Sequence, residues 1–106
     1  MEAFAILSDP VRRRILEQLC QQEMSSGEVV SSVGQEFGIT QSAISQQLKV
    51  LRDNQFAAVR ADGTKRIYSL DARGFRSIDQ WLDPFKRFWG PKFEALAREV
   101  ECGPTR

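Results

Sequence analysis

Gln41, Ser42, Ser45, Gln46, Lys49 and Arg52 fall on one side of a helical wheel, and Ile44, Leu48 and Leu51 recur on the other at spacings of four and three. Every group on the polar side can donate a hydrogen bond, and no carboxylate occurs from Thr40 to Arg52. A helix that lies among phosphates and base edges needs this chemistry, whereas an ordinary solvated face would mix Asp and Glu with Lys. Catalysis finds no comparable set. The chain has no histidine, no nucleophile beside a base and no glycine-rich phosphate loop, so the reading is that it is not an enzyme and needs no cofactor.

The elements that must position that polar face can be read on either side of it. Gly38 stands where a helix C-terminus wants a residue that tolerates positive φ, and Thr40 offers a hydroxyl to the free N–H groups of the next helix. A helix-turn-helix over residues 26–54 follows, its first helix spanning about 26–37 and opened by a Ser25/Glu28 capping box ahead of Val29, Val30, Val33 and Phe37. Upstream, Phe4 and Leu7 are expected to bury from a short apolar helix, and Ser8-Asp9-Pro10 restarts the chain into a helix over about 10–22 with Val11, Ile15 and Leu19 inward. Arg12, Arg13 and Arg14 near its start oppose the helix macrodipole; a phosphate backbone or a salt bridge would each account for them. Downstream, Phe56–Arg60 and Lys65–Leu70 read as two strands around a turn at Asp62-Gly63, with Ile67 and Leu70 expected among the buried residues. Arg60, Lys65 and Arg66 bracket the tip and are assigned to phosphate or minor-groove contact. The fold class is therefore mainly α with a small β-hairpin wing over 56–70, a winged helix-turn-helix.

Length and composition set the frame. The 106 residues make one domain over 1–101 with a frayed tail at 102–106. Net charge is only +1, but from Thr40 to Leu70 five basic residues face two acidic ones, a local excess sufficient for two copies to contact phosphates. No apolar run approaches the ~20 residues a membrane helix needs. The start, Met1-Glu-Ala-Phe-Ala-Ile-Leu7, lacks the basic opening of a signal peptide. Cys20 and Cys102 stand far apart and form no metal or disulfide pattern, so the chain reads as a cytoplasmic protein with free thiols and no membrane partner.

Asp71 can cap a long last helix whose apolar positions Phe75, Ile78, Leu82, Phe85, Trp89, Phe93, Leu96 and Val100 approach a heptad seam. Trp81 and Phe88 lie off that stripe, so the helix is apolar on two faces and must be covered on two sides. Residues 1–24 and 72–101 are accordingly expected to supply a two-fold dimer interface built on Phe4, Leu7, Phe75, Ile78, Leu82, Phe85 and Trp89. A small apolar effector held between Trp81, Phe85, Phe88 and Trp89 is the alternative use of those aromatics. Asp83-Pro84 and Gly90-Pro91 are places where the helix is expected to kink or split.

Three segments, Leu7-Ser-Asp-Pro-Val-Arg-Arg-Arg-Ile-Leu16, Gly38-Ile-Thr-Gln-Ser-Ala-Ile-Ser-Gln-Gln-Leu-Lys-Val-Leu-Arg52 and Arg60-Ala-Asp-Gly-Thr-Lys-Arg-Ile-Tyr-Ser-Leu70, resemble in order and spacing the ArsR-type winged-helix transcriptional repressors over roughly residues 3–71. Trp81-Leu-Asp-Pro-Phe-Lys-Arg-Phe-Trp89 is similar to the final helix of one subgroup. The resemblance implies a homodimer on a roughly palindromic operator near the start of its own or a neighbouring operon, released by an effector. Carried over by position, it implies that Gln41, Ser42, Ser45 and Gln46 read bases while Thr40, Lys49, Arg52 and the wing cations hold phosphates. Gln47 stands where many relatives have His, which implies a different preferred base.

Metal-sensing relatives use a Cys-x-Cys segment in the first helix of the pair, or His and carboxylates on the last helix. Residues 26–38 contain no cysteine and the chain no histidine, so no metal is expected at those two sites. A small-molecule or redox effector stays open; Cys20 and Cys102 could form a redox pair only if the second helix ended beside the tail. The leading reading is a homodimeric repressor, and the alternative is a winged-helix protein-interaction module that has lost DNA binding.

Overall fold

Asp9 opens the first long helix as its position demands. Its carboxylate accepts from the backbone N–H groups of Val11 (2.8 Å) and Arg12 (3.2 Å), and Pro10 takes the first helical position. The structure, a computed structural model, describes residues 2–102, with side chains as far as Gly90 and that of Lys92. In order it contains α1 (Ala3–Leu7), α2 (Pro10–Gln21), β1 (Met24–Ser25), α3 (Ser26–Val29), a π-helical turn (Val30–Gly34), α4 (Gln35–Phe37), α5 (Gln41–Asp53), β2 (Ala57–Asp62), β3 (Lys65–Leu70) and α6 (Ala72–Cys102).

The three arginines of α2 have protein partners. Arg12 donates from Nε to the Ile6 carbonyl (2.8 Å) and from Nη2 to that of Ala5 (3.1 Å), and Arg13 donates to the carbonyl of Leu7 (2.7 Å). The Ile6 and Leu7 carbonyls are among those that the end of α1 leaves without a helical partner, and that of Ala5 is shared with Ser8; a cation is favoured there, so the arginines answer the C-terminus of one helix from the N-terminus of the next. Arg14 instead bridges Glu17 (3.3 Å) and Glu36 (2.9 Å). Of the two readings of this run, the salt-bridge and carbonyl partners are the ones observed.

The capping box forms in both directions: Glu28 N–H donates to Ser25 Oγ (3.2 Å), and Ser25 N–H donates to the Glu28 carboxylate (2.8 Å), which holds that carboxyl below its usual range. The helix expected over 26–37 is not regular beyond it. Val30-Ser-Ser-Val-Gly34 combines β-branched residues, serines and glycine, all weak helix formers, and the chain widens into the π-turn there. Val29 and Val33 still reach the core, whereas Phe37 stays exposed. Gly38 then closes α4 at φ +64°, the left-handed cap that its identity predicts.

Two details of the wing differ from expectation. It is three-stranded, in the order β1-β3-β2 and antiparallel throughout, because Met24 and Ser25 pair with Tyr68 and Ile67. Its tip lies one residue later: Asp62 pairs with Lys65, leaving Gly63-Thr64 as the turn. Only Gly63 has positive φ there (+63°), the pattern of a II′ turn with glycine first, rather than an I′ turn centred on Asp-Gly. Burial shifts with this register: Tyr68 is the buried residue of β3, while Ile67 and Leu70 are half-buried.

Ile6, Ile15, Leu19, Val33, Ile44, Leu48, Leu51 and Phe56 form the centre of one core. In α1, Ile6 takes the inward position expected of Phe4, which is left exposed, and Leu7 is half-buried. α6 is anchored where Asp71 caps it, accepting from Arg73 N–H (3.0 Å). Next to that cap Gly74 N–H donates to the Gln55 carbonyl (2.7 Å), so tightly that a Cβ would stand 2.7 Å from the Phe56 ring and 2.8 Å from Gln55 O. The helix then continues without a split through Pro84 and Pro91. Cys102 is its last residue rather than tail, and 103–106 lie outside the described residues.

Candidate nucleic-acid interface

α5 is held from both ends and from below. Thr40 Oγ1 accepts from Ala43 N–H (3.1 Å), Asn54 closes the far end by donating to the Val50 carbonyl (2.8 Å), and Ile44, Leu48 and Leu51 are buried. With the apolar side committed, Gln41, Ser42, Ser45, Gln46 and Lys49 all stand exposed on the outer side, and Arg52 half-exposed. The helix-turn-helix geometry thus follows from the core, and the presented chemistry from what the core leaves over.

The predicted cations are not equally free. Lys49 donates to Asp53 (2.9 Å) and Arg52 lies 3.5 Å from the same carboxylate, which the Lys49 hydrogen bond, first of all, keeps below its ordinary pKa. Arg60 is bound to Glu23 (2.9 Å), and that hydrogen bond raises its pKa further above the guanidinium value. These are exposed pairs of small net worth, which a phosphate can replace. Lys65 and Arg66 at the start of β3 are exposed and form no salt bridge among the described residues. Ser45, Lys49, Arg52 and Arg66 meet at a cleft of about 270 Å³ between α5 and the wing. Thr40 works at the opposite end of α5, and Arg60 lies against Glu23 instead of in this cleft.

Gln47 is displaced from the outer face. It is half-buried and accepts from Arg12 Nη1 (2.9 Å), joining α5 to the α1–α2 corner, so its side chain faces its own protein and not a base. Sequence reading missed this joint because both partners are polar and 35 positions apart. Tyr68 was missed for another reason: alternation sets it on the same side of β3 as Arg66, a signal available in the sequence once the strand is accepted.

The residues expected at a dimer interface divide into two sets. Leu7, Phe75 and Ile78 pack partly against the core, Phe75 edge-on to Phe56 at 4.9 Å. Phe4, Leu82, Phe85 and Trp89 are exposed, and Phe4 meets Trp81 (5.2 Å), which meets Phe85 (4.7 Å), in an aromatic ladder joining α1 to α6. Cys20 is exposed; the Cys102 side chain, and those of Phe93, Leu96 and Val100, lie outside the described ones.

Residues 9–57 match the bacterial regulatory protein, arsR family. The chain is 34% identical over 99 residues to the HTH-type transcriptional regulator Rv2034 of Mycobacterium tuberculosis, covering 93% of this chain and 86% of that one. It is 32% identical over 78 residues to the arsenical resistance operon repressor of Staphylococcus xylosus, covering 74% and 71%. The crystal structure of M. tuberculosis Rv0081 superposes with a TM-score of 0.62 at 34% identity, covering 86% of this chain and 89% of that one. A winged helix-turn-helix with this identity to two such regulators over most of their length belongs to the ArsR family of bacterial transcriptional regulators.

Proposed function

We propose that this protein is a sequence-specific repressor that binds a two-fold operator as a homodimer and is not switched by metal at the family's usual sites. The observation that carries the reading is the outer face of α5, exposed along its length and free of carboxylates from Gln41 to Arg52. Gln41, Ser42, Ser45 and Gln46 are the base-reading set, and Thr40, Lys49, Arg52, Arg60, Lys65 and Arg66 hold the backbone. The exposed strip of Phe4, Leu82, Phe85 and Trp89, continued into Leu7, Phe75 and Ile78, supports a second copy as the partner of α1 and α6. Two recognition helices would then stand one turn of DNA apart, roughly 34–36 Å. The absence of histidine from the chain and of cysteine from 26–38 supports regulation by some means other than those metal sites.

The test is binding of the purified protein to DNA from upstream of its own gene, titrated at several salt concentrations against unrelated competitor. A protected footprint with two-fold symmetry is expected. Equal binding to competitor at every salt concentration would overturn sequence specificity. No binding to any duplex would favour the protein-interaction module.

A further inference from the structure

We propose that the cleft between α5 and β3 is the seat of one backbone phosphate of the bound duplex, held by Tyr68 and Ser26 together with Arg66. The inference rests on the DNA-binding reading above and names two residues outside its contact set. The cleft, about 270 Å³, is lined by Ser26, Ser45, Lys49, Arg52, Arg66 and Tyr68 over an apolar floor at Leu48. No lining residue is a carboxylate: three are cations and three bear hydroxyls, so what fits is an anion with several acceptor oxygens.

Tyr68 makes the cleft more than a gathering of surface cations. It is only 6% exposed, clamped in the middle strand between Met24 and Val59, and its phenol hydrogen-bonds to none of the described residues. No fully buried polar side-chain atom lacks a partner among the described residues, so the phenol oxygen reaches solvent, and the cleft is the opening that its side chain lines. A nearly buried side chain whose donor is left to solvent beside an opening is a preorganised contact, since little side-chain freedom remains to be lost on binding. Arg66 lies two positions earlier on the same side of β3 and supplies the charge without a competing acid, whereas Lys49 and Arg52 must first leave Asp53. Ser26 brings a third donor from the start of α3, so recognition helix, wing and first helix of the pair would close on one phosphate.

The roles separate in salt. Tyr68→Phe removes a neutral donor, so operator binding should weaken about ten-fold per half-site, on specific and unrelated duplexes alike, with the slope of log affinity against log salt unchanged. Arg66→Gln should instead flatten that slope by about 0.9 per half-site. A neutral methylphosphonate at the seated position should weaken the wild type more than Tyr68→Phe, in which only the Arg66 charge contact is left to lose; Ser26→Ala, with an unaltered melting temperature, is the second variant and should behave likewise. Tyr68→Phe and Ser26→Ala that both bind as wild type would overturn the seat while leaving the DNA reading intact. If the wild type binds no duplex, both readings fall. Inorganic phosphate that stabilises the wild type but not Tyr68→Phe, with DNA binding equal in the two, would place a free anion in the cleft and overturn the proposal.

Discussion

α5 and α6 are both amphipathic, yet only one is finished by its own chain. On α5 the stripe of Ile44, Leu48 and Leu51 is sealed in the core, and everything outward is polar. Among the described side chains of α6, the first two turns, at Gly74, Phe75 and Ile78, lie against the core; beyond them Trp81, Leu82, Phe85, Phe88 and Trp89 face solvent, Phe88 with 77% of its surface. A helix whose apolar side is satisfied at home can change its outer residues at small cost in stability. A helix whose apolar side is left over has its surface dictated by whatever covers it. The first arrangement suits a reading head and the second suits an interface, in line with the homodimer proposed above.

The contrast can be broken by placing the same kind of damage on each helix. Phe85→Asp should leave a folded chain that sediments as a monomer and loses about 10²–10⁴-fold in operator affinity, since the second head no longer binds intramolecularly. A dimer unchanged by this substitution would move the interface off α6. Leu48→Ala should do the reverse, lowering stability by about 2–5 kcal/mol in denaturant unfolding, because it opens a cavity in the finished core. Gln46→Ala touches neither core nor seam; it should lower discrimination between operator and unrelated DNA by about 1–3 kcal/mol per half-site while leaving salt dependence unchanged. Equal loss on both DNAs would remove Gln46 from the base-reading set. Gly74→Ala tests the join between the two regimes: with ring and carbonyl atoms under 3 Å from the new Cβ, overpacking should cost about 1–3 kcal/mol, read as a lower melting temperature.

What the sequence made legible follows the same division. Capping and periodicity are local, so Gly38, Thr40, Asp9 and the Ser25/Glu28 box could be read directly, and each makes the predicted contact. Features set by distant chain could not be read. β1 is two residues long and exists because β3 passes beside it; Gln47 turns inward because Arg12 is there. The turn residue was legible but its register was not: Gly63 supplies the positive φ, while strand pairing decides that it comes first in the turn. For α6 the heptad spacing named the apolar stripe, but only the packing of Gly74 on Phe56 shows where the helix leaves its own core.

The Arg12–Gln47 joint also fixes how the protein handles protons. It connects the corner of α1 and α2 to α5 through an always-charged guanidinium and an amide that does not titrate, in a chain without histidine. No side chain at this connection changes charge in the neutral range, so operator affinity at constant ionic strength should stay flat between about pH 5.5 and 7. Gln47→His would install a titrating group at a position where it faces a permanent donor. Its neutral form could still accept from Arg12, its protonated form could not, and binding should then weaken as pH falls through the imidazole pKa. In its native form, this joint adds no proton-linked step to operator binding over that range.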